Sequence, residues 1–341
     1  MNLRVYYRNI IITIVCLFFL TPISAKTNED DNVRILRVQK GDSISYLSFK
    51  LYKKYNNNIL NAILEYNPEI KNINLISVGQ EIRFPKLEII ENFGKNIEKQ
   101  ITSFPPPESQ QDLNSIPIKE NAYITYLEGD IRVCHSGNNV FEPVEVNSNI
   151  KEGDEIQVGS QSKAEIITFD NDVIRVSENT KLKINKLENN TIQKTQKKGF
   201  FVACGRMWNQ AKTLFNPNSE YVVKTPNAIS GIKGTAYDIN IDSSGNTKFK
   251  TYSGAVKIWK PQVESNNSGW RLKAPSPVAG PHSVSFEEWT EIILKKNQEI
   301  LITNQGATKK AEFNPLMDEQ TDNWIKWNKA RDDEMNKMIA W

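Results

Sequence analysis

Between residues 122 and 258 the chain is broken into strand-length runs, and three of them share one heading. These are Gly129-Asp130-Ile131-Arg132-Val133, Gly153-Asp154-Glu155-Ile156-Gln157-Val158 and Gly254-Ala255-Val256-Lys257-Ile258. Alternating apolar positions after a glycine turn describe short, half-buried strands and leave no room for a helical period. Residues 164–169, 173–176, 182–184 and 200–202 add further runs of β-branched and aromatic side chains, the types that suit a pleated surface. The longest ordered piece spans residues 222–241, where Val222 and Val223 open one strand and Tyr237, Ile239 and Ile241 form another. Pro226, Gly231 and Gly234 lie between them, where a fixed φ and a freely positive φ suit a tight turn. Strands of this length and spacing pack as a sandwich, a barrel or a β-solenoid.

The order Thr225-Pro226-Asn227-Ala228, Gly231-Ile232-Lys233-Gly234-Thr235 and Tyr237-Asp238-Ile239 resembles the hallmark of FecR-type domains, envelope modules known from iron-transport signalling. The resemblance covers about residues 122–258 and implies a mainly β domain, here expected as a solenoid-like stack with an irregular sandwich as the alternative. It specifies a fold more than a task.

A second unit precedes it. A strand-like Ile35-Leu36-Arg37-Val38 leads through Lys40-Gly41-Asp42-Ser43 into Ile44, Leu47 and Leu51, three apolar residues at helical spacing. Ile59, Leu60, Ile63 and Leu64 mark the buried stripe of another helix, which Asn67-Pro68 ends because the residue before proline avoids helical geometry. Residues 79–85 close the unit as a turn and strand. Val38-Gln39-Lys40-Gly41-Asp42-Ser43-Ile44, Tyr52, Asn67-Pro68 and Val78-Gly79-Gln80-Glu81-Ile82-Arg83-Phe84-Pro85 together resemble a LysM module, a βααβ fold. The resemblance implies a groove for N-acetylglucosamine-containing glycans between two loops, Gly41, Asp42, Ser43 and Ile44 on one side and Asn67, Pro68 and Ile70 on the other. Short polar groups and backbone suit the acetamide, and small apolar surfaces suit the sugar ring. The same residues also serve as helix cap and turn.

The first residues are those of a secretory signal peptide over 1–25: Arg4 and Arg8, an apolar run over 10–20, and a small residue at Ala25. The run falls short of the about 20 residues of a membrane span, so the mature chain is expected without one, in the periplasm or cell envelope. FecR proteins of the transport type carry a cytoplasmic arm before a spanning helix. Only a few residues precede the apolar run here, which argues for a displayed scaffold over a signal relay. Removing Arg4 and Arg8 from 43 basic residues leaves near neutrality against 40 acidic ones. That balance, without a basic stripe, argues against nucleic acid. With Cys16 in the leader, Cys134 and Cys204 form a candidate disulfide, which spacing alone leaves open.

The expected architecture is therefore α+β: a LysM-like module at 33–86, a Pro-containing linker at 87–119, a FecR-type β domain at 120–260, and an extension at 261–341. The linker carries Pro105-Pro106-Pro107 and a weak helical start from Leu87. In the extension, residues 261–281 read as a loop. Ser285 to Glu288 fits a capping box, whereas Trp289, Glu291 and Ile293 alternate as a strand. Residues 300–303 read as a strand and 318–339 as a final helix with Trp324 and Trp327 as packing residues.

Catalysis finds little material. Two histidines, His135 and His282, are too few for a histidine-rich metal site, and Cys134 and His135, adjacent on a strand, point to opposite faces. No cofactor is expected. The function the sequence favours is non-enzymatic peptidoglycan binding with the β domain as an interaction surface for an envelope protein. An envelope signalling regulator is the alternative, and a cell-wall hydrolase, from the company LysM modules keep, lacks a motif.

Overall fold

A computed structural model describes residues 32–92, 118–119, 121–190, 192–212, 216–232, 234–261 and 291–337. Residues 1–25, read above as a signal peptide, the proline tract, residues 262–281 and the Ser285–Glu288 and Trp289 positions lie outside the described residues. Residues 87–92 are helical, the start anticipated at Leu87.

The small unit runs β1 (Val33–Arg37), α1 (Ile44–Tyr52), α2 (Asn57–Tyr66) and β2 (Glu81–Pro85), with β1 and β2 antiparallel from Val33 opposite Pro85 to Arg37 opposite Glu81. Ser43 caps α1, its hydroxyl accepting the Tyr46 N–H at 3.1 Å, and Asn56 caps α2 by accepting from the Ile59 N–H at 2.9 Å. Both satisfy donors that a helix start leaves unpaired. Ile44, Leu47, Leu51, Ile59, Ile63, Ile82 and Phe84 form the core. Leu60 and Leu64 are only half-buried, and Ala62 takes the inner position on α2. An isolated unit of this size buries one stripe of each helix. Here α1 also buries Ser45, Tyr46, Ser48 and Phe49, so its second face is covered by another part of the chain.

That cover is the β domain, two sheets on one core. One sheet places, in spatial order, β6 (Glu142–Pro143), β5 (Ile131–Cys134), β8 (Glu155–Val158), β11 (Lys181–Asn190), the first part of β12 (Thr195–Gln210), β13 (Glu220–Lys224), β14 (Ile229–Ile232), β17 (Ala255–Trp259) and β18 (Glu291–Lys295). The short β3 (Ile118–Lys119) pairs with the far end of β11. The other sheet places β7 (Asn149–Ile150), β4 (Ala122–Glu128), β9 (Lys163–Thr168), β10 (Val173–Val176), the second part of β12, β15 (Ala236–Ile241), β16 (Thr247–Ser253), β19 (Gln298–Ile302) and β20 (Thr308–Glu312). Ile131, Ile156, Leu182, Phe200 and Val256 from the first meet Ile124, Ile166, Ile174, Met207 and Phe249 from the second in a single cluster. The chain advances along the stack as a solenoid does, while every pairing except β12 with β13 is antiparallel, as in a sandwich.

Three glycine headings open β5, β8 and β17, with Gly129, Gly153 and Gly254 all at positive φ. The 222–241 stretch differs from expectation in one respect. Gly231 lies in a strand of its own, β14, and not in a turn, because the Trp259 indole packs where its side chain would stand. The segment joining the sheets is β12. It pairs with β11 up to Cys204 and with β15 from Gly205, where φ is +90°. A Cβ at Gly205 would lie 2.5 Å from Thr180 Cα.

Two further expectations are corrected. The final helix is two, α3 (Pro315–Thr321) and α4 (Asn323–Asn336), because the Asp322 carboxylate accepts the Trp324 N–H at 3.0 Å and starts a new helix. Cys134 and Cys204 are both free. They sit on β5 and β12, with β8 and β11 between them, so three strand spacings of about 4.8 Å separate them, beyond disulfide reach.

Substituting Gly205→Ala forces a side chain against backbone at a left-handed position. It is expected to cost about 3 kcal/mol, read as a lower urea midpoint at unchanged slope.

Candidate functional site

The two loops expected to hold glycan lie in different surroundings. Gly41, at φ +88°, faces the Tyr126 ring of β4, which a Cβ would approach to 3.4 Å. The Asp42 carboxylate accepts the Gln39 N–H at 2.8 Å. Burial nevertheless pushes its carboxyl above the ordinary range. Ser43 donates its hydroxyl to the Thr125 carbonyl at 2.7 Å, and Ile44 is fully buried in the small core. The first loop therefore rests on the β domain.

Asn67 is spent on the fold. Its Nδ2 donates to the Ile63 and Arg83 carbonyls, each at 2.7 Å, and its Oδ1 accepts the Arg83 N–H at 2.8 Å, tying the end of α2 to β2. Pro68 is exposed, and Ile70 packs half-buried on the core. The portion of the second loop that faces the first is further along, at Ile73 and Asn74. Sequence reading named Asn67, Pro68 and Ile70 and not Ile73 or Asn74, because nothing in the identity of these two distinguishes them from the rest of residues 67–80.

What brings the loops together is Asn147, from the turn between β6 and β7. It sits at φ +65° with 7% exposure, its own N–H donating to the Ile124 carbonyl at 2.7 Å. Its Oδ1 accepts the Ser45 N–H at 2.9 Å. Its Nδ2 donates to the Ile73 carbonyl at 3.2 Å and the Asn74 Oδ1 at 3.0 Å. Ser45 is the second residue of α1, whose N–H has no partner within the helix. Asn74 in turn donates to Glu145, on the same turn as Asn147. That turn also borders an open cavity of about 710 Å³ lined by His135, Glu142, Glu145, Glu152 and Asp154.

The seam continues along α1. Tyr46 and Phe49 pack with Ile167, Val173 and Met335, and Tyr55 meets Tyr123 edge-on at 4.7 Å. From α4, Arg331 lies 3.9 Å over the Tyr46 ring and pairs with Glu165 at 2.8 Å. Lys50 pairs with Glu334 at 3.3 Å, and Lys53 donates to the Met335 carbonyl at 2.6 Å. Glu165 also receives Arg175 at 2.7 Å, and Arg175 bonds Asp332. Burial pushes the Glu165 carboxyl up, but the two guanidiniums outweigh it and hold it below the ordinary range. Trp208 and Trp324 donate their indole N–H groups to Asp332 and Asp238 at 3.1 and 3.0 Å. Trp324 is buried, as a packing residue should be, while Trp327 is half-buried against Tyr126.

No catalytic pairing emerges at Cys134 and His135. The thiol approaches the Asn138 carbonyl at 3.3 Å, and the imidazole Nδ1 meets Asp154 at 3.0 Å. Among the described residues, no group of three or more His, Cys, Asp or Glu side chains is arranged to hold a metal, and no helix is long and apolar enough to cross a membrane.

Residues 36–85 match the LysM domain family, and residues 154–257 match the FecR protein family. The chain thus carries a LysM domain followed by a FecR domain, both binding or regulatory modules. No curated protein matches it. Two crystal structures of a protein assigned as an anti-sigma factor from Parabacteroides distasonis resemble it at 12% identity, with TM-scores of 0.34 and 0.32. The match covers 47% of this chain and 60% of theirs, less than two thirds of their length. A likeness that distant carries no functional argument.

Replacing Glu165→Gln leaves two buried guanidiniums short of their counter-charge. The expected loss is about 3–5 kcal/mol of stability, measured by urea unfolding followed through tryptophan fluorescence.

Proposed function

We propose that this chain, in which a LysM domain precedes a FecR domain, is a non-enzymatic cell-envelope protein that binds peptidoglycan or another N-acetylglucosamine polymer. Gly41, Asp42, Ser43 and Ile44 shape one wall of the groove, and the loop begun by Asn67, Pro68 and Ile70 shapes the other. The capped helix start and the pinned end of α2 hold the backbone of both walls rigid, so the ligand is met by preset donors and acceptors. The observation that carries the reading is the pair of backbone groups at Ser45 and Ile73, one N–H and one carbonyl, that together hold a planar amide. The acetamido group of N-acetylglucosamine presents that same pair of functions. The FecR-type β domain serves as a scaffold and interaction surface for an envelope protein. Export is supported by Arg4 and Arg8 ahead of the apolar run at residues 10–20.

The purified chain is expected to sediment with insoluble peptidoglycan and to be released by the soluble N-acetylglucosamine pentamer. Sedimentation that the pentamer does not reduce would overturn glycan recognition in the groove. A peptidoglycan suspension is expected to keep its turbidity in the presence of the chain, and a falling trace would overturn the non-enzymatic reading.

A further inference from the structure

The groove assigned to glycan is not open. Its acetamide-holding groups are already engaged by the chain's own β domain. An asparagine carboxamide and a sugar acetamide are both planar amides that offer a carbonyl acceptor and an N–H donor, the carboxamide having one donor more. Asn147 places that acceptor on the Ser45 N–H and that donor on the Ile73 carbonyl. It reaches there from a left-handed backbone position, which asparagine adopts more readily than most residues.

We infer that Asn147 closes the LysM groove in cis, and that an N-acetylglucosamine polymer binds by displacing its carboxamide. The inference rests on the glycan reading above and adds its regulation. Displacement does not require the two domains to part. The apolar seam of Tyr46, Phe49, Ile167, Val173 and Met335, and the Tyr55–Tyr123 contact, lie on other residues than the carboxamide site. The segment that must move is the turn between β6 and β7, two strands of two residues each. Glu145 on it is exposed, Val144 packs half-buried on the core, and three main-chain bonds hold it, from the Val144 N–H to the Ile131 carbonyl, from the Asn147 N–H to the Ile124 carbonyl and from the Ile124 N–H to the Ser148 carbonyl. Releasing the carboxamide is a local opening that breaks those three main-chain bonds, while Ile150 of β7 stays in the core. Glu145, which receives Asn74, moves with it. Ligand and turn thus compete for the same two backbone groups, and the closed state lowers the apparent affinity by the fraction of chains that are open.

The test titrates the N-acetylglucosamine pentamer into the full chain and into Asn147→Gly by calorimetry, with amide hydrogen exchange read in parallel. Glycine keeps the left-handed backbone and removes only the carboxamide. Loss of the two backbone bonds leads to an expected affinity gain of roughly thirtyfold for Asn147→Gly, with faster exchange at the Ser45 amide. Asn147→Asp keeps the acceptor for Ser45 but loses the donor to Ile73, and is expected to gain less. In the natural chain, saturating pentamer is expected to speed exchange at residues 145–149. Equal affinities for the natural chain and Asn147→Gly would overturn the closure and leave glycan binding intact. A Ser45 amide that stays protected in Asn147→Gly would overturn it as well. Absence of binding by both chains, with the Ser45 amide freely exchanging in Asn147→Gly, would overturn closure and glycan reading together.

Discussion

Glu165 is a carboxylate with no exposure, and its position in β9 obliges the rest of the molecule to come to it. A buried charge of this kind is tolerated only when opposite charges and hydrogen bonds surround it. Arg175 arrives from the neighbouring strand and Arg331 from the final helix. Arg331 then spreads its other face over Tyr46 of α1. One anionic site thus joins the second sheet, the C-terminal helix and the small N-terminal unit. The consequence is that α1 is buried on both faces, and the loop at its start is pressed onto β4.

This arrangement changes what the two loops of the small unit can present. A free βααβ unit would offer both loops to solvent. In this chain the helix that carries one loop is part of the interdomain core, and a turn of the β domain inserts an amide between the two loops. The β domain therefore both borders the space between the two loops and occupies it. Under the proposed glycan reading, one turn would couple recognition of the wall polymer to the state of the β domain.

Much of the architecture was legible because it is written in local periodicity. The caps at Ser43, the stop at Asn67, the glycine headings at Gly129, Gly153 and Gly254, and the order of the strands each depend on a few adjacent residues. Other features were not legible. Gly231 reads as turn punctuation, yet it is a strand residue making room for Trp259, a neighbour that only sheet pairing supplies. The residues at 318–339 carry helical spacing throughout, but a side chain at Asp322 divides them. Cys134 and Cys204 looked like a pair by arithmetic, and two intervening strands keep them apart.

The sequence by itself determined the kinds of element, their order and the two families they resemble, because hydrophobic period, capping and turn chemistry act between near neighbours in the chain. The tertiary structure alone decided which loop residues face each other and what lies between them. Ser45, Ile73 and Asn147 stand far apart in sequence, and the first two act through backbone groups, which every residue possesses. A hydrogen bond to a main-chain N–H or carbonyl leaves no mark on side-chain identity, so the contact between the two loops becomes visible only once the chain is folded.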